Sequence, residues 1–593
     1  MIFTLLSLNI LIGEKKSIFL IFLTLLIFYL ATLYLLVTFF HKRTIRENLK
    51  KYQTNYILGV IIISLSLLNL FQKMVSLIDI KDQSIIYLHG RPILEKNLYS
   101  CKSILNVPNF YYTEYDYKKK SKKGEYLELF NKEKVSKTRI IINQNNLDYL
   151  RYNAKDKPTV LIDSISINNY ILNNVGLKTK GQTTLLSLIK TNNNLFSYTV
   201  KFKECINKNN GFKNNQNLLG LNKISFNNMF GDPTKVKEFL SYYLLTELQV
   251  PTPAYSYTTL TINNSYQGLY FMIEPIDKSL TMRTLKEKND FLIKPDINGA
   301  ELLYDHELDK YLEGEYDFDS IFKDKNGKLV LPKNNILEKY NGIWENDLET
   351  LEDIYNQLPM FFKWLKKLNE LSNIKDKDSV YYKDELSKII DIDSLIKYWA
   401  VNVFVVNSDS YISHVKQNYA LYMSKSGKVT IIPWDYNYSF GGSIIRDTDS
   451  LINFDIYNPT INCKLEDRPL LNVILGNKSF REKYEQYLRD ILIIASEGGV
   501  TSDNRKYPKD NLSKLIHKNR NLIINSEKTN TQSFYKTEDI IKAQDNLSTI
   551  INLRSKSVIR QLNNEKSNIH TNIELDTIGG HHSIMKNKWN RLY

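Results

Sequence analysis

The stretch IIPWDYNYSFGG, residues 431–442, sets one carboxylate, Asp435, directly after an apolar run and ahead of a glycine pair. The β-branched residues at its start predict a buried strand, and the glycines predict the loop that follows. The segment NSDSY, residues 407–411, has a similar layout, with Asp409 just after the apolar run 401–406. Both carboxylates are therefore expected on loops at the ends of buried elements.

Carboxylates and amides delivered by such loops are the oxygen ligands that a hard cation such as Mg²⁺ prefers. Phosphoryl transfer needs such cations, an Asp for the acceptor proton, and a sheet Lys that holds the phosphates. The residues alone leave other interpretations open. An Asp-x-Asn turn is also typical of an Asx-turn or a cap, Trp434 suits core packing, and the glycine pair suits an ordinary turn.

The chain before this region has the pattern of an antiparallel sheet with one inserted helix. Apolar residues at helical spacing follow Asp232-Pro233, which is a good helix start. The predicted strands are 138–143, 159–163, 171–172, 197–202, 257–262 and 268–273, and the helix is 235–248. From residue 338 the pattern becomes mainly helical. A strand-rich half followed by a helical half predicts an α+β domain with two lobes and a cleft between them.

A basic cluster lies within the strand-rich half. The string GLKTKGQTT, residues 176–184, contains Lys180 and Gly181, and the alternating strand FSYTVKF, residues 196–202, carries Lys201. Lysines on a sheet can hold phosphates, although Lys201 is equally compatible with an exposed strand lysine.

In this order, these motifs resemble the CotH family of spore-coat protein kinases, especially its clostridial-type, membrane-anchored members. The resemblance runs over about residues 135–565 and also rests on GLNKISFNNMFGDPTKVKEFLSYYLL (220–245), INNSYQGLYFMIEPID (262–277) and NYALYMSKSGKV (418–429). It implies an atypical bilobal protein-kinase-like domain that uses ATP with Mg²⁺ or Mn²⁺.

The resemblance also implies a role for each matched residue. Asp409 is the catalytic-loop aspartate, which orients or deprotonates the acceptor hydroxyl. The metal ligands are Asp435 and Asn418, and the nucleotide-binding residues are Lys180, Gly181, Lys201, Glu238 and Glu274. Within that set, Lys201 pairs with Glu238, Lys180-Gly181 covers the phosphates, and Glu274 borders the adenine pocket.

Two departures from the family pattern leave the function open. Gln182 stands where Asn is usual, and Thr199 stands where many members have a lysine. The leading hypothesis is an atypical kinase that phosphorylates Ser or Thr of a coat or envelope protein. The alternatives are a non-catalytic kinase-fold scaffold for coat or envelope assembly and an ATP-dependent enzyme that transfers AMP or forms a ligation product.

Bulk composition excludes little. The net charge is +15, but the lysines are spread along the chain, so no nucleic-acid partner is predicted. The three cysteines have no metal-ligand or disulfide pattern.

The N-terminal region predicts a membrane anchor. Residues 18–40 and 52–72 carry no charged side chain, and the first stretch is long enough for roughly 30 Å of hydrocarbon. A short basic loop between them favours a soluble domain outside the cytoplasm. The predicted organisation is an anchor (1–79), a linker (80–135), a strand-rich lobe with an insert (136–335), a helical lobe (336–565) and a polar tail (566–593).

Overall fold

The computed structural model describes seven segments of the chain. They are residues 125–202, 216–286, 291–313, 339–344, 351–495, 511–528 and 530–580. All of them lie in one compact unit, Thr113–Tyr593.

Seven strands form a closed barrel in the order β1-β2-β3-β4-β5-β7-β6. Their bounds are β1 Ser136–Ile141, β2 Val160–Ile167, β3 Tyr170–Lys180, β4 Ser197–Lys201, β5 Lys223–Asn227, β6 Tyr255–Ile262 and β7 Ser265–Ile273. Neighbouring strands are antiparallel, except that β1 and β6 run parallel and close the barrel. Strand β1 alternates buried and exposed residues, because successive side chains of a strand point to opposite faces.

The barrel interior is apolar, and one sector of its outer surface is covered by a helix. Buried residues from the strands, such as Ile162, Val200 and Met272, fill the interior. The helices around the barrel are α1 (Gln144–Tyr152), α2 (Thr183–Lys190), α3 (Lys237–Glu247) and α4 (Lys278–Thr284). Helix α3 packs its aromatic residues against the outer face of β6 and β7, where the rings of Phe239 and Tyr257 stack with centroids 5.7 Å apart. This packing leaves α3 buried almost throughout.

The rest of the described chain is mainly helical. Its helices are α5 Asp309–Leu312, α6 Asn341–Trp344, α7 Leu351–Ser372, α8 Val380–Ile389, α9 Ile392–Phe404, α10 Thr448–Ile452, α11 Pro469–Leu475, α12 Lys478–Ala495, α13 Leu512–Glu527 and α14 Thr537–Leu562. A small sheet, in the order β10-β9-β8, consists of β8 (Leu292–Ile293), β9 (Tyr419–Met423) and β10 (Val429–Pro433). The apolar helix α9 runs through the core of this region and leads directly to the loop that carries Asp409.

The fold-class prediction, an α+β bilobal protein-kinase-like domain preceded by transmembrane helices, is wrong. The sheet is a closed barrel with helices around it, because β1 pairs with β6 through a long-range parallel register, Thr138 opposite Leu260. Strand β5, which was not predicted, completes the ring between β4 and β7.

The membrane prediction is also corrected. Within the residues that the structure describes, no helix combines the length and the apolar character needed to cross a bilayer. The longest helices, such as α14, carry charged side chains on their outer faces. The two predicted spans, 18–40 and 52–72, lie outside the described residues.

Candidate active site

One side-chain amide connects the lysine and the glutamate of the candidate site. Lys180, the last residue of β3, donates from Nζ to Oδ1 of Asn227 at 2.5 Å. The Nδ2 of Asn227 donates to both carboxylate oxygens of Glu238, at 3.1 and 3.3 Å. Asn227 ends β5 and Glu238 lies in the first turn of α3, so the amide ties the outer face of the barrel to the helix packed on it.

Lys180 is the lysine that reaches the carboxylates. Its Nζ lies 4.9 Å from the centre of the Trp434 ring, and its charge lowers the pKa of both Glu238 and Asp435 against the effect of burial. Lys201 lies at the opposite end of the β3–β4 ladder, where it faces Gly176, whereas Lys180 faces Ser197. Four residues of strand separate these two positions, which corresponds to about 13 Å along the ladder. The structure therefore brings Lys180, and not Lys201, to Glu238.

Asp435 follows strand β10 in a left-handed backbone conformation, with φ of 50°. Its backbone N–H donates to the hydroxyl oxygen of Tyr242, which lies on α3, at 3.1 Å. A residue in the left-handed conformation cannot continue an extended strand, so the chain turns at Asp435. The hydrogen bond to Tyr242 connects this loop to the helix that carries Glu238. The position of Asp435 thus depends on both α3 and the small sheet.

Asp409 is buried and accepts hydrogen bonds from three side chains. The Nε2 of Gln417 reaches Oδ1 at 3.1 Å, and the Nδ2 of Asn418 reaches Oδ2 at 2.9 Å and the backbone carbonyl of Asp409 at 2.7 Å. The hydroxyl of Ser443, from the loop after the glycine pair, is 3.5 Å from Oδ1. These bonds hold the carboxylate in one orientation beside the Asp435 loop.

Burial raises the pKa of all three carboxyl groups, and the charge of Asp435 raises the pKa of the other two further. Burial raises the pKa of Glu238 to about 8, and the charge of Asp435 adds to this effect. Burial also raises the pKa of Asp409 to about 7, again with a contribution from Asp435. The pKa of Asp435 itself is raised by burial. When these three acids ionise close to a single lysine, their negative charges are only partly balanced. A bound cation would reduce this repulsion, because a cation favours the deprotonated carboxylates.

The site supplies carboxylate and amide oxygens, which are the kind of ligand that Mg²⁺ or Mn²⁺ prefers. The part of the chain that the structure describes contains no group of three or more His, Cys, Asp or Glu side chains that could hold a metal. Asp409 and Asp435 instead lie close in the chain or in space to the side-chain amides of Asn418 and Asn437. The Nδ2 of Asn418 donates to Asp409, so the Oδ1 of Asn418 is the atom able to act as a ligand. The Oδ1 of Asn437 is buried and has no hydrogen-bond partner within the part of the chain that the structure describes. Mg²⁺ commonly takes one or two carboxylates and completes its shell with water and phosphate.

Two other predicted site residues contribute no side chain to this cluster. Gly181, with φ of 99°, forms the turn between β3 and α2, directly after Lys180. Glu274 follows β7 and is fully buried, and its carboxylate accepts hydrogen bonds from the Tyr126 hydroxyl, the Ala254 backbone and the Arg283 guanidinium. The side chain of Glu274 therefore holds neighbouring segments together, and its backbone N–H donates to the carbonyl of Ala254 at 2.8 Å.

Two residues of the cluster were missed by the sequence reasoning. Asn227 lies in the string KISFNN, where the alternation of residues 223–227 could have indicated a strand ending in a polar side chain. Asn437 is part of the quoted string at residues 431–442, but no role was assigned to it.

Comparison with known proteins identifies the family. The profile of a family described as "CotH kinase protein" matches residues 177–558, which is well over half of the chain. The chain belongs to the CotH kinase protein family. The match includes Lys180, Asn227, Glu238, Asp409, Asn418 and Asp435, all of which lie in the cluster described above.

A curated CotH-family relative is the inner spore coat protein H of Bacillus subtilis (strain 168). It is 25% identical over 277 residues, which are 46% of this chain and 63% of that relative. The matched region thus spans less than two thirds of the relative's length. These comparisons show membership of the CotH kinase protein family, and they give no support to the predicted membrane location.

Proposed function

We propose that this CotH protein transfers the terminal phosphate of ATP to a Ser or Thr hydroxyl of a spore-coat or cell-envelope protein. The observation that carries the proposal is the convergence of Lys180, Asp409 and Asp435 from three separate elements on one partly buried cluster. Raised pKa values of acids that lie beside a specific cation are typical of functional sites. Membership of a family described as a kinase supports the same conclusion.

Each residue of the cluster has a role in this proposal. Lys180 binds the phosphates, and Glu238 keeps it in position through the amide of Asn227. Asp435, Asn418 and Asn437 hold Mg²⁺ or Mn²⁺, which when bound neutralises the charge of the phosphates. Asp409 orients the acceptor hydroxyl and accepts its proton, a role that its pKa of about 7 suits near neutral pH.

The position of Lys180 favours an enzyme over a non-catalytic scaffold. Thr199, which replaces a lysine of the family pattern, shares a hydrogen bond of 3.0 Å with the hydroxyl of Ser225 on the neighbouring strand. Lys180 supplies the positive charge that Thr199 lacks. It pairs with Ser197, two residue pairs further along the β3–β4 ladder. Loss of a lysine at position 199 therefore does not leave the cluster without a cation.

The proposal is tested on the full chain by following the melting temperature during titration with ATP, with Mg²⁺, with Mn²⁺ and with EDTA. We expect a rise in Tm that needs both ATP and a divalent ion. Transfer is then measured with ATP labelled on the γ-phosphate and a Ser/Thr-containing protein as acceptor. A rise in Tm that does not depend on the metal, or labelling that is the same in Asp409→Asn, would contradict the proposal.

The label position separates the proposed reaction from the other ATP-dependent reactions. A kinase transfers the γ-label and releases ADP, whereas AMP transfer places the α-label on the acceptor. If the acceptor is labelled by α-labelled ATP and not by γ-labelled ATP, the reaction at this cluster is AMP transfer and not phosphotransfer.

A further inference from the structure

A polar groove lies on the barrel away from the Lys180–Asp435 cluster and shares no lining residue with it. It encloses about 500 Å³. It lies between the loop after α2, the turn between β6 and β7, and the segment that precedes α14. The residues that line it are Arg151, Thr191, Asn192, Asn193, Asn194, Leu195, Ser265, Gln267 and Gln532.

The groove contains one arginine and, among the residues that line it, no carboxylate. Arg151 lies in the last turn of α1, and its Nε is buried without a hydrogen-bond partner among the described residues. None of the residues that line the groove is Asp or Glu. Burial of an arginine donor without an acceptor is costly, so this guanidinium is a site that a ligand with acceptor oxygens would stabilise.

The charge of Arg151 also acts on two buried tyrosines that do not line the groove, Tyr198 and Tyr270. Burial raises the pKa of the Tyr198 phenol to about 12, and the charge of Arg151 opposes this effect. Burial raises the pKa of Tyr270 as well, and Arg151 opposes it there too. The Tyr198 and Tyr270 hydroxyls donate to the backbone carbonyls of Asn194 and Phe196, at 3.4 and 3.1 Å. Both phenols are therefore neutral near pH 7 and supply no negative charge to Arg151.

The rim of the groove supplies amide donors. Asn193 accepts a hydrogen bond from the backbone N–H of Leu195 through its Oδ1, so its Nδ2 is the group left to donate to a ligand. The side chains of Asn192, Asn194 and Gln532 are exposed at the rim. One guanidinium surrounded by several amides offers many donors to a single group that carries several oxygens.

We propose that this groove binds a phosphate group, either free inorganic phosphate or the phosphate of a phosphorylated Ser or Thr side chain. Arginine matches phosphate because its planar fork donates two parallel hydrogen bonds. The volume of about 500 Å³ has room for more than the phosphate itself, so a phosphorylated side chain with its neighbours also fits. This binding site goes beyond the proposed phosphotransfer and does not depend on it.

The test measures binding on the full chain by calorimetry, with inorganic phosphate, a phosphoserine peptide and the same peptide with serine as probes. The variant is Arg151→Gln. Its matched control is Lys155→Gln, which removes one exposed positive charge nearby in the chain and does not line the groove. We expect Arg151→Gln to weaken phosphate binding about tenfold or more, since the guanidinium makes charge-assisted bonds, and Lys155→Gln to leave it unchanged. Gln532→Ala, at the exposed rim, is expected to weaken binding several-fold without a risk to folding.

The outcomes are distinct. Tighter binding of the phosphoserine peptide than of inorganic phosphate identifies a phosphorylated side chain as the ligand, and equal binding identifies the free ion. Equal affinities in wild type and Arg151→Gln, or no phosphate binding by the wild type, would overturn the proposal. A Mg-ATP-dependent rise in Tm that persists in Arg151→Gln shows that the variant is folded and that the two sites are separate.

Discussion

The buried Nζ of Lys237 donates a hydrogen bond to the backbone carbonyl of Gly579 at 3.0 Å, across most of the length of the chain. Lys237 precedes Glu238 in the first turn of α3. Burial lowers the pKa of Lys237 to about 8, and the charge of Asp232 opposes that effect. The C-terminal segment 575–580 is thus attached directly to the helix that carries Glu238.

Gly580 continues this attachment to the loop that follows Asp435. A Cβ at position 580 would lie 2.3 Å from the carbonyl oxygen of Gly442, and the φ of Gly580 is 151°. We expect Gly580→Ala to lower the free energy of unfolding by about 2–3 kcal/mol, because backbone must shift on both sides. Chemical denaturation measures this loss, and Mg-ATP affinity is expected to fall with it.

Gly427→Ala is the matched control for this prediction. Gly427 also has a positive φ, of 81°, but apart from its two chain neighbours no described residue has an atom within 4 Å of a Cβ there. Gly427→Ala should lower the free energy of unfolding by only about 1 kcal/mol, because only the backbone conformation is unfavourable for alanine there. Equal losses in the two variants would show that the contact with Gly442 contributes nothing.

Lys180→Met is expected to lower phosphotransfer by at least about a hundredfold, because the cluster loses the cation that faces Glu238 and Asp435. The matched control is Lys201→Met, on the neighbouring strand at the other end of the ladder. Steady-state kinetics with ATP measure both variants. If Lys201→Met lowers the phosphotransfer rate more than Lys180→Met does, Lys201 is the phosphate-binding lysine.

Asp409→Asn is expected to keep metal-dependent ATP binding and to lose transfer, because the amide cannot accept the proton of the hydroxyl. Asp435→Asn is expected to weaken Mg-dependent ATP binding instead, since it removes a metal ligand. Thermal shift and labelling by γ-labelled ATP distinguish the two effects. Loss of the ATP-induced shift in Asp409→Asn would show that Asp409 acts through the metal.

The raised carboxylate pKa values predict the pH dependence of stability without metal. Glu238, with a pKa of about 8, and Asp409, with a pKa of about 7, bind protons more tightly in the folded than in the unfolded chain. Their contribution to stability is therefore complete at low pH and is lost as the pH rises through about 7 to 8. In EDTA, Tm should fall as the pH rises from about 5 to about 8, where only the unfolded chain has released these protons, and should level off once the folded groups ionise as well.

Mg²⁺ should reverse this fall, because the cation favours the ionised carboxylates. Asp435→Asn should also reduce the fall in EDTA, since the charge of Asp435 raises the pKa of both other acids. The measurement is Tm against pH for the wild type and the variant, with and without Mg²⁺. An identical pH dependence in the two proteins would show that the acids do not interact.

Local patterns in the sequence predicted many of the elements. The alternation of residues 197–202 and the helical spacing of 235–248 correspond to β4 and α3, and the hairpin at 257–273 corresponds to β6 and β7. These predictions succeed because the period of apolar residues reports which face of an element is buried. The motifs at 407–411 and 431–442 likewise singled out Asp409 and Asp435, the two aspartates of the cluster.

Tertiary structure decided how these elements are joined. The parallel pairing of β1 with β6 closes the barrel, and no local pattern encodes which distant strand a buried face will meet. The same limit applies to the choice between Lys180 and Lys201, since both occupy strands at plausible spacing and only the β3–β4 register places Lys180 beside Asn227. The sequence by itself determined the chemistry available to this CotH protein, namely its carboxylates, amides and lysines. The long-range pairing of strands and helices determined which of them meet, because that depends on contacts between residues far apart in the chain.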